Sequence, residues 1–221
     1  MPSPTRALVI GASGGIGAAL LAALHATPHT EALALSRPDF DLTDEASIAA
    51  AATRIGPPLH LVIVATGRLH GDSTAPEKRL ADLNVAQLAA SFALNAIGPA
   101  LLLKHFSPLL PRDQQATFAL LSARVGSITD NGLGGWYGYR ASKAALNQLI
   151  RTAAIELART HKHAKLLALH PGTVRTGLAT PIIGATKGDP PALAAQRLLR
   201  VIAHAPASGA FLDQNGQTIP W

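Results

Sequence analysis

A glycine cluster near the N-terminus constrains the fold of this chain more than any other feature. The apolar run Arg6–Ile10 stops at Gly11, glycines recur at positions 15 and 17, and an Ala- and Leu-rich segment follows from Ala18 to His25. A strand, a glycine turn and a helix in this order point backbone N–H groups toward an anion such as a pyrophosphate. The pattern therefore predicts a dinucleotide-binding unit, with a flexible glycine turn as the alternative.

Strand-like and helical segments alternate along the rest of the chain. This order predicts a Rossmann-type α/β fold, in which a doubly wound parallel sheet of about seven strands has helices on both faces. The predicted strands are Arg6–Ile10, Glu31–Ser36, Asp39–Asp44, Leu59–Val64, Thr117–Ser122, Lys165–His170 and Ala210–Leu212. Because 48% of the 221 residues are hydrophobic and 14% are charged, we expect one dinucleotide-binding domain over residues 1–221.

The net charge of +6 raises nucleic acid or an anionic small molecule as a partner. The basic residues are scattered and only 4% of residues are aromatic, so little is present to stack on bases and we expect no nucleic-acid binding. The first apolar run is too short for a signal or membrane-spanning segment, which favours a cytoplasmic protein without a membrane partner. The chain has no cysteine and its nine histidines are scattered, so no metal site is predicted.

The end of the second predicted strand indicates which dinucleotide is bound. An acidic residue near this point binds a ribose 2′-hydroxyl in dinucleotide folds, whereas an arginine accommodates a 2′-phosphate. The chain has Ser36 and Arg37 here and no acid. The sequence therefore predicts a preference for NADP(H) over NAD(H), with a solvated loop arginine as the alternative.

Tyr139 and Lys143 form the most suggestive pair of reactive side chains. They lie four residues apart at the start of a predicted helix, Ala141–Leu157, so both reach one face, about 5 to 6 Å apart at Cβ. An ammonium group favours the phenolate and lowers a tyrosine pKa from its usual value of about 10. The pair is thus a candidate proton donor for a carbonyl, and an exposed helix pair is the alternative.

Two further polar residues occupy unusual positions. Asn95 falls within a long apolar helical region, Val85–Phe106, where an amide needs a partner. A local structural bond and a functional role are both open. Ser122 ends a predicted strand at the same edge of the sheet as the glycine turn.

Taken together, the motifs resemble the short-chain dehydrogenase/reductase superfamily over nearly the whole chain. The residues that carry the resemblance are Gly11, Gly15, Gly17, Asp41, Leu42, Ala65, Thr66, Gly67, Asn95, Ser122, Tyr139, Lys143, Pro171, Gly172 and Thr176. Residues 122–137 and 209–221 more narrowly resemble the branch described as C-factor-like or carbonyl-reductase-like.

The resemblance implies a catalytic role for four residues. Tyr139 would protonate the substrate oxygen as hydride arrives from the nicotinamide, and Lys143 would hold the ribose hydroxyls while lowering the tyrosine pKa. Ser122 would hydrogen-bond the substrate carbonyl. Asn95 would position a water that connects Lys143 to bulk solvent.

The resemblance also implies the contacts of the cofactor. The glycine turn would hold the pyrophosphate and adenosine ribose, Arg37 the 2′-phosphate, and Asp41 with Leu42 the adenine. The implied contacts are Gly11, Ser13, Gly15, Ile16, Gly17, Ser36, Arg37, Asp41, Leu42, Ala65, Thr66, Gly67, Asn95, Tyr139, Lys143, Pro171, Gly172, Val174 and Thr176.

The chain departs from the family pattern at three places. Ile10 precedes the first glycine where the family usually has Thr, and Val64 to Gly67 replaces Asn-Asn-Ala-Gly. The usual position of the catalytic serine, three residues before a glycine, holds Ala123. Ser122 lies one residue earlier, and a slip of one residue at a strand end turns a side chain to the opposite face. Ser122, Ser127 or no serine at all are the open alternatives.

These expectations combine into an NADP(H)-dependent oxidoreductase that interconverts a carbonyl and an alcohol. The alternative is an NADP(H)-binding signalling or regulatory protein of the C-factor type with little turnover. A small or accessible substrate is expected beneath the stretch Gly177–Pro191, and Trp136 with Tyr137 forms either another wall or packing beneath the loop. The residues singled out in that stretch are Leu178, Thr180, Ile182, Ile183, Thr186 and Lys187. The resemblance further implies a homodimer or homotetramer that forms through the helices of Asn95 and Tyr139.

Overall fold

One parallel sheet of six strands organises the computed structural model of the chain, which describes residues 4–71, 75–180, 184 and 186–221. The strands are β1 (Thr5–Ile10), β2 (Thr30–Leu35), β3 (Leu61–Val64), β4 (Ala116–Leu121), β5 (Ala164–His170) and β6 (Ala210–Asp213). Their order is β2-β1-β3-β4-β5-β6, and every neighbouring pair is parallel. The carboxyl ends of all six strands therefore meet at one edge.

The predicted strand at Asp39–Asp44 is wrong, which explains why the sheet has six strands and not about seven. The segment folds into turns in which Asp41 Oδ1 accepts hydrogen bonds from the backbone N–H and the hydroxyl of Thr43, both at 2.8 Å. Phe40 and Leu42 still bury their side chains in the core. The sequence therefore predicted correctly that the apolar residues of this segment are buried. Its backbone, however, forms hydrogen bonds with a nearby side chain and not with a neighbouring strand.

Helices cover both faces of the sheet, as predicted. They are α1 (Gly15–His25), α2 (Glu45–Ile55), α3 (Val85–Phe92), α4 (Gly98–Phe106), α5 (Tyr137–Leu157) and α6 (Pro191–His204). Alternate side chains of β1 belong to two apolar clusters, one on each face of the sheet. Leu8 and Ile10 pack with α2, α4 and α5 on one face, and Ala7 and Val9 pack with α1 and α6 on the other. This division follows from the period of two in a strand and gives a sheet buried on both sides.

The helical stretch Val85–Leu109 is long and apolar enough to cross a membrane by length and composition alone. It is interrupted by a π-helical turn, Ala93–Ile97, between α3 and α4. In the fold, Leu102 and Phe106 are fully buried against the sheet. The α4 part of the stretch therefore packs into the core on one face of the sheet, whereas Val85 and Ile97 are exposed.

Substituting Gly98 tests how tightly α4 packs against the turn that follows β2. A Cβ at this position would lie 2.5 Å from Leu42 Cγ and 2.8 Å from the Leu42 carbonyl oxygen. Alanine favours a helix over glycine by about 1 kcal/mol, whereas overpacking costs about 1 to 3 kcal/mol. We expect Gly98→Ala to lower the free energy of unfolding in urea by up to about 2 kcal/mol. Gly132→Ala, where no atom lies within 4 Å of the new Cβ, is the control, and a stabilised Gly98→Ala would contradict the packing argument.

Candidate active site

A cleft of about 370 Å³ opens at the carboxyl edge of the sheet, where parallel α/β sheets bind their ligands. It lies between the start of α1, the ends of β3, β4 and β5, and the first turns of α5. Its lining residues are Ser13, Gly14, Gly15, Ile16, Ala65, Thr66, Gly67, Leu121, Ser122, Tyr139, Lys143, Pro171, Thr176, Gly177 and Leu178. Eleven of the twenty residues to which the resemblance assigns a catalytic or cofactor-binding role are thus brought together here.

The glycine turn forms one wall of the cleft. A Cβ on Gly17 would lie 2.1 Å from the Gly11 carbonyl oxygen, so α1 can approach the end of β1 only with glycine there. No side chain caps the first turn of α1, and its first backbone N–H groups have no partner within the helix. Gly11 and Gly17 therefore lie behind the cleft as packing residues, while residues 13–16 border it.

Tyr139 and Lys143 form the opposite wall. Both lie in the first two turns of α5, which begins at Tyr137 and so includes the tyrosine that the sequence placed just before the helix. The Lys143 ammonium lies 5.9 Å from the centroid of the Tyr139 ring and donates a hydrogen bond to the Leu121 carbonyl oxygen at 2.8 Å. Only 3% of Lys143 is exposed. The pair is a buried wall of the cleft and not an exposed helix pair.

Burial shifts the pKa values of Tyr139 and Lys143 in opposite directions. Loss of hydration raises the pKa of Tyr139 to about 12 and lowers the pKa of Lys143 to about 8, because it disfavours the charged form of each group. Burial therefore determines the direction of the Tyr139 pKa shift in this structure, and the lowering of that pKa by Lys143 stays a prediction. At neutral pH the phenol therefore carries its proton in this structure.

Asn95 lies in the π-helical turn, and its side chain is fully buried. Its Oδ1 accepts from the Arg68 N–H at 2.8 Å, and its Nδ2 donates to the Arg68 carbonyl at 2.7 Å and to Ser142 Oγ at 3.0 Å. The amide thus joins the chain after β3 to α5, directly beside Lys143. These contacts supply the structural bond that the sequence left open, and the water-positioning role stays a prediction.

The two candidate serines are both engaged by the protein. Ser122 lines the cleft, but its hydroxyl donates to Asn147 Oδ1 on α5 at 2.5 Å. Ser127 lies away from the cleft, where its Oγ accepts from the Asp130 N–H at 3.0 Å and donates to the Trp221 carbonyl at 3.4 Å. Ala123 is in an extended conformation at the end of the strand. Which serine, if any, contacts a substrate stays a prediction.

Other predicted contacts lie outside the cleft. Ser36, Arg37 and Asp41 follow β2, where Arg37 is exposed and has no hydrogen bond or ion pair in the described part of the chain. Hydrogen bonds from Thr43, and to a smaller extent the nearby Arg37, hold the pKa of Asp41 below its usual value. Leu42 is a core residue. The contacts of these residues with the adenosine end of a dinucleotide stay predictions.

The segment after β5 is only partly at the cleft. Pro171, Thr176 and Leu178 line it. Gly172 packs instead against Gln214, and the buried Val174 forms a bridge with Asp189. Of the predicted substrate region, Ile182 and Ile183 lie outside the described residues, while Thr186 and Lys187 are exposed.

Three residues of the site were missed by the sequence analysis. Leu121 acts through a backbone carbonyl, which no residue pattern could indicate. Asn147 lies four residues after Lys143, so helical spacing alone places it on the same face. Glu77, between β3 and α3, is buried and accepts a hydrogen bond from the Gly138 N–H at 3.2 Å.

The family model described as enoyl-(acyl carrier protein) reductase matches residues 15–210. The chain belongs to the short-chain dehydrogenase/reductase superfamily. It is 30% identical over 189 residues to a 1-hydroxy-2-glutathionyl-2-methyl-3-butene dehydrogenase of Rhodococcus sp. AD45, covering 83% of this chain and 79% of that protein. It is also 36% identical over 144 residues to C-signal of Myxococcus xanthus, covering 64% of this chain and 83% of that protein.

Solved structures of the superfamily share the fold over the full length of the chain. The NADPH-bound carbonyl reductase from chicken fatty liver superposes with a TM-score of 0.83 at 26% identity, covering 100% of this chain and 96% of that one. The predicted resemblance to short-chain dehydrogenases/reductases is therefore confirmed.

Replacing Lys143 tests its burial through the pH dependence of stability. Its pKa falls from 10.5 to about 8 on folding, so the unfolded chain binds more protons between these values and stability rises with pH there. Relative to Lys143→Met, we expect the free energy of unfolding of the wild type to increase by up to about 3 kcal/mol between about pH 7 and pH 10. Urea denaturation across this range measures the difference. The exposed Lys162→Met is the control, and equal pH profiles for wild type and Lys143→Met would contradict the burial argument.

Proposed function

We propose that the chain is an NADP(H)-dependent oxidoreductase that interconverts a carbonyl and an alcohol by hydride transfer, with Tyr139 as general acid and base. The observation that carries this proposal is the protonated phenol of Tyr139 beside the buried ammonium of Lys143 in a cleft whose other wall is an uncapped helix N-terminus. Membership of the superfamily supports the reaction class.

The residues at the cleft fit a dinucleotide. The start of α1 offers free backbone N–H groups to a pyrophosphate. The buried hydroxyl of Thr66 has no hydrogen-bond partner among the described residues, so a ligand in the cleft would satisfy it. Arg37 adds an exposed cation after β2 for a 2′-phosphate. The chicken carbonyl reductase, which is similar over the whole chain, was solved with NADPH.

The bound nicotinamide would supply the hydride, and the protein would position and protonate the substrate. In the reductive direction Tyr139 holds the proton that the developing alkoxide takes up. Lys143, fixed by the Leu121 carbonyl, lies where its charge favours the tyrosinate that remains. In the oxidative direction the tyrosinate accepts the alcohol proton. Asn95 links α5 to the loop that follows β3, through its hydrogen bonds to Ser142 and Arg68, and so holds the two segments together beside this pair.

The substrate, assembly and location belong to the same proposal. A small carbonyl or alcohol suits a cleft bordered on its outer side by Gly177 and Leu178. Ile97 on the π-helical turn and Leu149 and Ile155 on α5 are exposed apolar residues, which supports a homodimer or homotetramer through these helices. We further propose a single cytoplasmic domain with no nucleic-acid or membrane partner.

Removing the phenolic hydroxyl of Tyr139 tests the reaction. We expect Tyr139→Phe to lower kcat for NADPH oxidation with small aldehydes, ketones or quinones by at least about a hundredfold, because the general acid is lost. The affinity for NADPH, measured by nicotinamide fluorescence, should stay within about twofold. Tyr137→Phe removes the only other phenol of the chain and serves as the control. Equal turnover in both variants would contradict the assignment of Tyr139.

Replacing Arg37 tests the cofactor preference. We expect Arg37→Gln to raise the Kd for NADPH about ten- to a hundredfold by removing a charge-assisted contact with the 2′-phosphate, while the Kd for NADH is unchanged. Arg54→Gln, an exposed arginine at the end of α2, should alter neither value. A parallel loss of both cofactors would mean that Arg37 does not read the 2′-phosphate.

The similarity to C-signal supports a second candidate, an NADP(H)-binding signalling or regulatory protein with little turnover. The hydrogen bond from Ser122 to Asn147 also favours it, because that hydroxyl must change its acceptor before it can donate to a substrate oxygen. Tight NADPH binding without turnover on any tested carbonyl compound, in the wild type as in Tyr139→Phe, would favour this candidate.

A further inference from the structure

A buried carboxylate lies at the start of the helix that carries Tyr139 and Lys143. Glu77 is 7% exposed, and its Oε2 accepts from the Gly138 N–H at 3.2 Å. Its backbone carbonyl accepts from the Trp136 N–H at 2.5 Å. One residue of the segment before α3 therefore binds the residues on both sides of Tyr137.

The chain at this point has no cap of its own. Trp136, the residue before α5, adopts a left-handed conformation with φ of 53° and has no side-chain capping bond. A helix N-terminus leaves backbone N–H groups without partners and favours negative charge. Glu77 meets both requirements from a distant part of the sequence.

Gly138 is matched to this carboxylate. A Cβ at position 138 would lie 2.9 Å from Glu77 Oε1 and 3.3 Å from Leu88 Cδ2. The close approach of the acid to the helix therefore depends on glycine at this position. The next residue along the helix is Tyr139, whose ring meets the Trp136 ring edge-on at 6.3 Å between centroids.

We propose that Glu77 is a positioning residue for Tyr139, which it holds by capping the first turn of α5 and fixing Trp136 against the tyrosine ring. The catalytic consequence rests on the proposed function, whereas the structural consequence does not. Loss of the carboxylate frees the Gly138 N–H and loosens the first turn of α5, so the phenol gains access to water and moves relative to Lys143, although the Glu77 backbone carbonyl still accepts from the Trp136 N–H.

The first test follows the phenol itself. In a Tyr137→Phe background Tyr139 is the only tyrosine, and its tyrosinate absorbance can be titrated alone. Burial raises the pKa of Tyr139 to about 12, and we expect Glu77→Ala to bring it down toward about 10 as water enters. Glu77→Gln keeps an oxygen acceptor for Gly138 and should restore most of the wild-type titration.

The second test follows turnover. We expect Glu77→Ala to lower kcat for NADPH oxidation about tenfold or more, with the KM for NADPH within about twofold, because small misplacements of a reacting group are costly. Glu77→Gln should recover most of kcat. Glu156→Ala, an exposed acid in the last turn of the same helix, is the matched control.

The Gly138→Ala variant keeps the proposal testable if Glu77→Ala folds poorly, and a double-mutant cycle extends the test when both variants fold. Gly138→Ala should displace the carboxylate without deleting it and lower kcat to a similar extent. The two substitutions combined should then cost little more than either alone. A Glu77→Ala variant that titrates and turns over like Glu156→Ala, or fully additive effects in the cycle, would overturn the proposal. Absence of turnover in the wild type would instead contradict the proposed function, and the phenol titration would still decide the role of Glu77.

Discussion

The hydrogen bond from the Lys143 ammonium to the Leu121 carbonyl is the contact on which the site depends. A buried ammonium has lost most of its water, and its charge persists only where the protein supplies an acceptor. Leu121 is the last residue of β4, so the acceptor is fixed by the sheet. A shift of α5 along the sheet would therefore move the ammonium away from this acceptor.

The rest of the structure holds α5 in place for this bond. Its first half is joined to four other segments by polar contacts, while its second half contributes apolar residues to the core. The polar contacts are those of Glu77 with Gly138, Arg140 with the Gly134 and Gly135 carbonyls, Ser142 with Asn95, Lys143 with Leu121, and Asn147 with Ser122. Stability and positioning thus come from different halves of one helix. The serine at the end of β4 takes part in this attachment through its hydrogen bond to Asn147.

Periodicity and turn chemistry predicted most of this fold from the sequence. Six of the seven expected strands form, because continuous apolar runs have few alternatives to a buried parallel sheet. The exception, Asp39–Asp44, has the right apolar residues, but Asp41 supplies a local acceptor that competes with pairing. The spacing of Tyr139 and Lys143 likewise placed them at one cleft. Glu77 and the Leu121 carbonyl could not be predicted, since both act through contacts between segments far apart in the chain.

The pKa values show where pairwise reasoning from sequence falls short. Because Tyr139 and Lys143 lie four residues apart, their spacing alone predicts that the ammonium lowers the pKa of the phenol by electrostatic attraction. Burying both groups disfavours both charged forms, so the pKa of Tyr139 rises to about 12 while that of Lys143 falls to about 8. The phenol then keeps its proton throughout the neutral range, and the lysine is the group that titrates at slightly alkaline pH. Changes in the site in that range therefore report the charge of Lys143, while the tyrosine responds only when a ligand or a mutation alters its exposure to water.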